Sequence, residues 1–336
     1  MSDARTIPII DLGPYLAGEP GALERAAREL RFALTEIGFY FIVNHGVPES
    51  LIRGAFQQAA RFHGQPVERK MEVRVDKHNV GYLPMRGDTL RTSTVQTVTK
   101  ANLNEAFFMA RDLPDDHPDV LADRRFRSAN RWPKDLPGFR EGVVDYCDAL
   151  ERLVHKLVRL YAVALELPAA YFDDPFREFQ YKLRMTHYPY QEALADDEFG
   201  IAPHTDTSFL TLLAPNDVPG LSIRTQGGTW IDAPVVPGLA VMVHVSPRFI
   251  WRPPPGTAAA HTVKGQLFRI SKVAAWVVVV EERARQRGEK QMGMKYFILR
   301  ELFDIWMWVI EKVELGLLYI YIIYIEKNRI SIGESA

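Results

Sequence analysis

The sequence has almost no cysteine, the residue that covalent cross-links and thiolate metal clusters require. Its 336 residues include one cysteine, Cys147. An internal disulfide is therefore excluded, and a metal ion would have to be held by histidine and carboxylate side chains. The nine histidines are the residues to search for such ligands.

The chain also lacks a charge excess and long apolar runs. Lys and Arg number 41 against 42 Asp and Glu, so the basic surplus that attracts proteins to nucleic acid is missing. The N-terminus has no signal-peptide core, and the apolar stretch 315–325 is shorter than the roughly 18 residues of a membrane span. We expect a cytoplasmic protein with no nucleic-acid or membrane partner, and the composition does not indicate its oligomeric state.

Proline is missing from the C-terminal quarter. All 22 prolines lie between Pro8 and Pro255. About four would be expected in the remaining 81 residues at the usual frequency of roughly 5%. The composition therefore changes near residue 256, and we treat residues 276–336 as a divergent tail of uncertain structure.

Hydrophobic periodicity divides the rest of the chain into a helical and a β-rich part. An N-terminal region, 6–120, alternates strands with helices, and 121–175 is a helical segment with one long amphipathic helix over 136–167. Within that helix we expect Cys147 to be a core thiol and His155 a surface imidazole.

The period changes at about residue 180. Short β-branched and apolar runs then follow at intervals near ten residues, separated by Gly, Pro, Asn and Asp. Such spacing is typical of a double-sheet barrel. We predict an α+β fold with a double-stranded β-helix, or jelly-roll, core over 176–275 and N-terminal and flanking helices.

One triplet has the pattern of a non-haem iron site. Two imidazoles and one carboxylate on one face of an octahedral metal leave three positions open for other ligands. Residues i and i+2 of a strand point to the same side, so His204 and Asp206 could supply two of the three. The second His-x-Asp triplet, His117 to Asp119, lies in an acidic, proline-containing stretch that favours a solvated loop.

The third ligand would come from another strand. His261 lies 57 positions after His204, although a surface histidine remains the alternative. Arg269 and Ser271 follow in an i, i+2 relation, and an arginine there could bind a carboxylate bidentately.

Several strings, taken in order, resemble a known family. They are PIIDLG, GFYFIVNHGVP, RMTHYP, PHTDTSFLTLL, VPGLSI and GGTWIDAPVVPG. Together they are similar to the iron(II)- and 2-oxoglutarate-dependent dioxygenases of the isopenicillin N synthase-like group, over about residues 6–243.

The resemblance implies Fe(2+), 2-oxoglutarate and O2 as cofactor and co-substrates. It makes His204, Asp206 and His261 the metal ligands. It also makes Tyr188 a hydrogen-bond partner of 2-oxoglutarate, and Arg269 with Ser271 the pair that holds its far carboxylate. No catalytic residue beyond the metal ligands is implied.

The sequence departs from the family near its end. His261 and Arg269 are eight residues apart, where the family usually has about ten, and the closing strands are not recognisable. Shortening by two preserves strand parity, so Arg269 could still point inward.

The resulting hypothesis is a dioxygenase that oxidises a small molecule and releases succinate and CO2, with ethylene formation also open. The alternatives are a catalytically impaired relative whose altered C-terminus disrupts the site, and a β-sandwich that does not use iron.

Overall fold

The computed structural model describes residues 7–37, 39–89, 99–124, 127–189, 198–202, 209–214, 218, 221–224, 229–234, 241–244, 248–251 and 317–325. The strands are β1 Ile9–Asp11, β2 Phe39–Val43, β3 Gly81–Leu83, β4 Glu105–Ala110, β5 Gln180–Tyr188, β6 Leu210–Ala214, β7 Leu221–Arg224, β8 Trp230–Asp232, β9 Val241–His244, β10 Arg248–Trp251 and β11 Leu317–Ile325. The helices are α1 Gly13–Leu16, α2 Ala22–Phe32, α3 Glu49–His63, α4 Val67–Met71, α5 Pro118–Leu121 and α6 Phe139–Ala164, and a π-helical turn covers Ala33–Ile37.

The long helix and the five β-branched runs that the periodicity predicts are all observed. The long helix is α6, and the five runs after residue 180 form β5 to β9. The combination of helices with two β-sheets confirms an α+β fold. Among the described residues, no helix combines the length and apolar character that crossing a membrane would need.

The strands form two sheets. The larger has the order β1-β2-β9-β6-β11-β5-β4-β3, and the smaller has the order β10-β7-β8. β1 runs parallel to β2, and β11 runs parallel to both β5 and β6, whereas the other described pairs are antiparallel.

The main core lies between the helices and one face of the larger sheet, which we call the helix face. Apolar residues at three- and four-residue spacing bury one side of α6, and α2 and α3 pack against this helix. Cys147 is fully buried in this core and the His155 side chain is partly exposed, as the sequence predicts.

A second apolar cluster lies on the opposite face of the larger sheet, which we call the inner face. It brings residues of β2, β5 and β6 together with Leu221 and Ile223 of β7, in the smaller sheet. Alternation along β2 shows the two environments, because Tyr40 and Ile42 belong to the main core while Phe39 and Phe41 belong to the inner cluster.

The tail contributes an interior strand that the sequence did not predict. β11 pairs with all nine residues of β5 on one side and with β6 on the other. A continuous run of β-branched and aromatic residues suits a strand with neighbours on both edges. The apolar stretch 315–325 is therefore explained by sheet pairing.

Candidate active site

Five of the six predicted site residues, His204, Asp206, His261, Arg269 and Ser271, lie outside the described residues. The structure places the sixth, Tyr188, at the end of β5. The described surroundings of the candidate site are therefore those of Tyr188 and of the segments that lead toward His204.

Tyr188 points to the inner face of the larger sheet. Tyr181, Leu183 and Met185 of the same strand lie in the main core, whereas Tyr188 packs in the inner cluster with residues such as Leu213. The strand therefore separates the helix face from the space between the two sheets.

The environment of Tyr188 keeps its phenol protonated. Its side chain is almost completely buried. Burial raises the pKa of Tyr188 well above its ordinary value, Arg184 opposes the rise and Asp88 adds to it. Tyr188 can therefore act as a hydrogen-bond donor at neutral pH.

Arg184 lies near Tyr188 and is held by the neighbouring strand. Its Nη2 donates to Asn104 Oδ1 at 2.9 Å, and its guanidinium lies 5.2 Å from the centre of the Phe108 ring. A cation is thereby present on the same strand as Tyr188, in a buried position.

Two buried asparagines hold the segment that precedes His204. Asn102 Oδ1 accepts from the Ala202 amide at 2.8 Å, and Asn104 Nδ2 donates to the Gly200 carbonyl at 2.6 Å. Between them, the Leu103 amide donates to the Phe199 carbonyl at 2.7 Å. These bonds fix the chain up to two residues before His204.

The helix face carries a buried polar group, which we call the Glu105 cluster and which consists of Glu105, Lys70, Tyr82, His63 and His187. The Lys70 ammonium donates to both carboxylate oxygens of Glu105, at 2.9 and 2.7 Å, and the Tyr82 hydroxyl donates to one of them. The His187 Nδ1 is 2.8 Å from Glu105, and the His63 Nδ1 is 3.3 Å away.

The backbone directs Tyr82 toward Glu105. Gly81 has a φ of 109°, and a side chain there would come within 2.3 Å of the Val73 carbonyl oxygen. This close approach lets the Tyr82 amide donate to Val73 at 2.7 Å. Glycine is needed here for both the conformation and the space.

Glu105 is held in its ionised form beside the Lys70 ammonium. Burial opposes ionisation of Glu105, but its contacts with His187, His63 and Lys70 hold its pKa well below the usual range. Burial lowers the pKa of His63, with Glu105 opposing. His63 Nε2 lies 3.0 Å from the Met185 carbonyl, which can only accept, so this nitrogen carries the proton.

The cluster offers two imidazoles and a carboxylate, the ligand types of non-haem iron. Within the part of the chain that the structure describes, ligand atoms of His63, Glu105 and His187 lie within 4.8 Å of one another. Lys70 already neutralises the carboxylate, however, and its ammonium would repel a metal cation. The contacts are those of a hydrogen-bonded ion-pair cluster.

Sequence reasoning did not find this cluster. Lys70 and Glu105 are 35 positions apart, and Glu105 and His187 are 82 apart, so no local spacing connects them. The one available signal was His187, which stands beside Tyr188 in the RMTHYP string.

The second His-x-Asp triplet starts a short helix. His117 is the N-cap of α5 and its Nδ1 accepts from the Asp119 amide at 3.2 Å, while Asp119 pairs with Arg124. The solvated loop predicted for this stretch therefore contains one short helix. Both side chains make local contacts of a structural kind, which agrees with the prediction that this triplet is not the metal site.

Comparison with known proteins gives two family matches. Residues 7–135 match the profile described as non-haem dioxygenase in morphine synthesis N-terminal, and residues 179–271 match the 2OG-Fe(II) oxygenase superfamily. The second match extends from the start of β5 to Ser271.

Individual relatives each cover about 70% of the chain. The 2-oxoglutarate-dependent dioxygenase citB of Monascus ruber is 31% identical, over 68% of this chain and 70% of its own. Clavatol oxidase claD of Penicillium crustosum is 32% identical, over 68% and 72%. A full-length Neurospora crassa protein, whose crystal structure is a complex with alpha-KG, is 25% identical, with 73% of both chains covered and a TM-score of 0.59.

Proposed function

The chain belongs to the 2-oxoglutarate- and Fe(II)-dependent oxygenase superfamily, and from this premise we propose that it oxidises a small molecule with release of succinate and CO2. It is a 2-oxoglutarate-dependent dioxygenase whose cofactor and co-substrates are Fe(2+), 2-oxoglutarate and O2. The observation that carries the proposal is Tyr188, which is buried and protonated on the inner face. The chain segment beside it is hydrogen-bonded as far as Ala202, two residues before His204.

The residue roles in this proposal follow the family pattern. His204, Asp206 and His261 would hold Fe(2+), a donor set of the kind that leaves three positions of an octahedral ion open. Arg269 and Ser271 would bind the far carboxylate of 2-oxoglutarate, for which a guanidinium fork is suited. In the same proposal the two described sheets are parts of a double-stranded β-helix.

The chain's own groups would orient and shield the co-substrate. When bound, the iron with 2-oxoglutarate and O2 supplies the oxidising power, and 2-oxoglutarate leaves as succinate and CO2. Tyr188 keeps its proton and donates a hydrogen bond to 2-oxoglutarate. The inner cluster around Tyr188 excludes water from that contact, which strengthens it.

The test is Fe(II)-dependent release of succinate from 2-oxoglutarate, with ethylene measured in the same vials. The His204→Ala variant should lose both iron binding and succinate release. The matched control is His117→Ala, which removes the other His-x-Asp histidine and should keep both. Equal iron contents in the two variants would refute the choice of His204.

A second candidate is an iron-binding scaffold without turnover. The spacing of eight residues between His261 and Arg269 favours this candidate. So does the position of β11, an interior strand that comes from the tail, far beyond Ser271 in the sequence. Intact iron binding by the wild-type chain, with no succinate released at saturating 2-oxoglutarate, would select this candidate over the active enzyme.

A further inference from the structure

We propose that Glu105 is a positioning residue, which fixes the carboxyl end of β5 from the helix face and thereby sets the direction in which Tyr188 meets 2-oxoglutarate on the inner face. This inference rests on the proposed function for the role of Tyr188. Its structural part, the anchoring of β5 by the Glu105 cluster, rests on contacts of described residues.

The cluster holds β5 at two points just before Tyr188. His187 Nδ1 is 2.8 Å from the Glu105 carboxylate, and the Met185 carbonyl is 3.0 Å from His63 Nε2. Side-chain bonds from β4 and α3 thus reach two of the last four residues of β5, in addition to the pairing of the strand itself. The backbone on either side of Thr186 has little freedom to tilt.

Glu105 is the group on which the cluster depends. Its carboxylate is the shared acceptor for Lys70, Tyr82 and His187. Lys70 also donates to the His63 carbonyl at 3.1 Å, which ties the end of α3 to the same group. Removal of the negative charge would therefore weaken several bonds at once, whereas loss of one donor would weaken one.

The strand couples the two faces of the sheet. Adjacent residues of a strand point to opposite faces of the sheet. A change in the backbone orientation at His187 therefore also changes the direction in which the Tyr188 side chain points. A shift near 1 Å can cost about a hundredfold in a reacting geometry.

The same side chains could instead be a metal site, and this alternative gives a different result when Glu105 is changed. A metal ligand would lose iron on conversion to the amide. A positioning residue would keep the iron and lose affinity for 2-oxoglutarate.

The experiment compares Glu105→Gln with the wild-type full-length chain. We expect unchanged iron content per chain, and a dissociation constant for 2-oxoglutarate that rises about tenfold, as for other groups that act through a neighbour. Binding is measured anaerobically from the charge-transfer absorption of the Fe(II)-2-oxoglutarate complex. The KM for 2-oxoglutarate should rise with it, while kcat at saturation changes much less.

Amide hydrogen exchange tests the anchoring without the cofactors. Exchange within 180–188 should be faster in Glu105→Gln than in the wild type. The matched control is Tyr40→Phe, which breaks a 3.0 Å hydrogen bond to Tyr161 in the same core, on β2 and α6. This control should leave both the exchange of β5 and the affinity for 2-oxoglutarate unchanged.

A milder variant covers the case in which Glu105→Gln does not fold. Tyr82→Phe removes one hydrogen bond from Glu105, and we expect the dissociation constant for 2-oxoglutarate to rise about threefold.

Unchanged affinity for 2-oxoglutarate in Tyr82→Phe, or in a folded Glu105→Gln, would overturn the positioning role. Loss of iron in either variant would overturn it in favour of a metal site. A wild type that binds iron but not 2-oxoglutarate would refute the proposed function separately, and the exchange data would still decide whether Glu105 holds β5.

Discussion

Replacement of Lys70 by methionine removes a buried ammonium and keeps most of the side chain's apolar stem. Lys70 is 6% exposed, and its Nζ donates to both oxygens of Glu105 and to the His63 carbonyl. In Lys70→Met the carboxylate keeps Tyr82 and His187 but loses the ammonium of the cluster. Breaking a buried ion pair in this way typically costs about 3–5 kcal/mol of unfolding free energy.

Protonation of Glu105 limits that cost. A carboxyl group with an ordinary pKa near 4.3 can be neutralised at pH 7 for about 3.7 kcal/mol, because each pKa unit corresponds to about 1.4 kcal/mol. At pH 5.5 the same neutralisation costs about 1.6 kcal/mol. We therefore expect Lys70→Met to lose about 3 kcal/mol at pH 7, and about half of that at pH 5.5.

Urea unfolding at the two pH values measures this difference. The control is Lys77→Met, whose ammonium pairs with Asp123 at the exposed surface, so its removal should change the unfolding free energy very little. The double variant Lys70→Met with Glu105→Gln should be more stable than Lys70→Met alone, because no buried charge is left unpaired. A loss of stability in Lys70→Met that is the same at both pH values would show that an unpaired Glu105 carboxylate is not its cause.

Two further predictions concern acid stability and the tail. Folding lowers the pKa of His63, so the unfolded chain binds the proton first, and the free energy of unfolding should fall below about pH 6.5 by up to about 1.4 kcal/mol per pH unit. Urea unfolding of His63→Gln should show a shallower dependence of that free energy on pH. An identical dependence in the variant and the wild type would contradict the lowered pKa of His63. A chain ending at residue 316 lacks β11 and should lose its cooperative thermal transition, whereas a chain ending at residue 325 should keep it. Equal melting temperatures for the two truncated chains would show that β11 is dispensable.

Local patterns predicted most of the secondary structure. The helix over 136–167 is observed as Phe139–Ala164, and each of the five runs after residue 180 contains a strand. These elements follow from residues close together in the chain, whose periodicity is visible directly. The same holds for the buried Cys147, which lies on the apolar side of its helix.

The pairing of strands was not predictable in the same way. Nothing near residues 317–325 indicates that they lie between β5 and β6, because register between distant segments is settled by the assembled sheet. The Glu105 cluster has the same origin, since its members come from α3, α4, β3, β4 and β5.

The family, the histidine and carboxylate chemistry expected of a metal site, and the strand that contains Tyr188 could all be predicted from the amino-acid sequence. Those conclusions depend on ordered strings and on residue types. The assembled fold was needed to show that Tyr188 faces the inner cluster while its neighbour His187 faces Glu105. It was also needed to show that Lys70 neutralises the one group of metal-ligating side chains found among the described residues. The physical reason is that charge balance and burial depend on which distant residues the fold brings within a few ångströms.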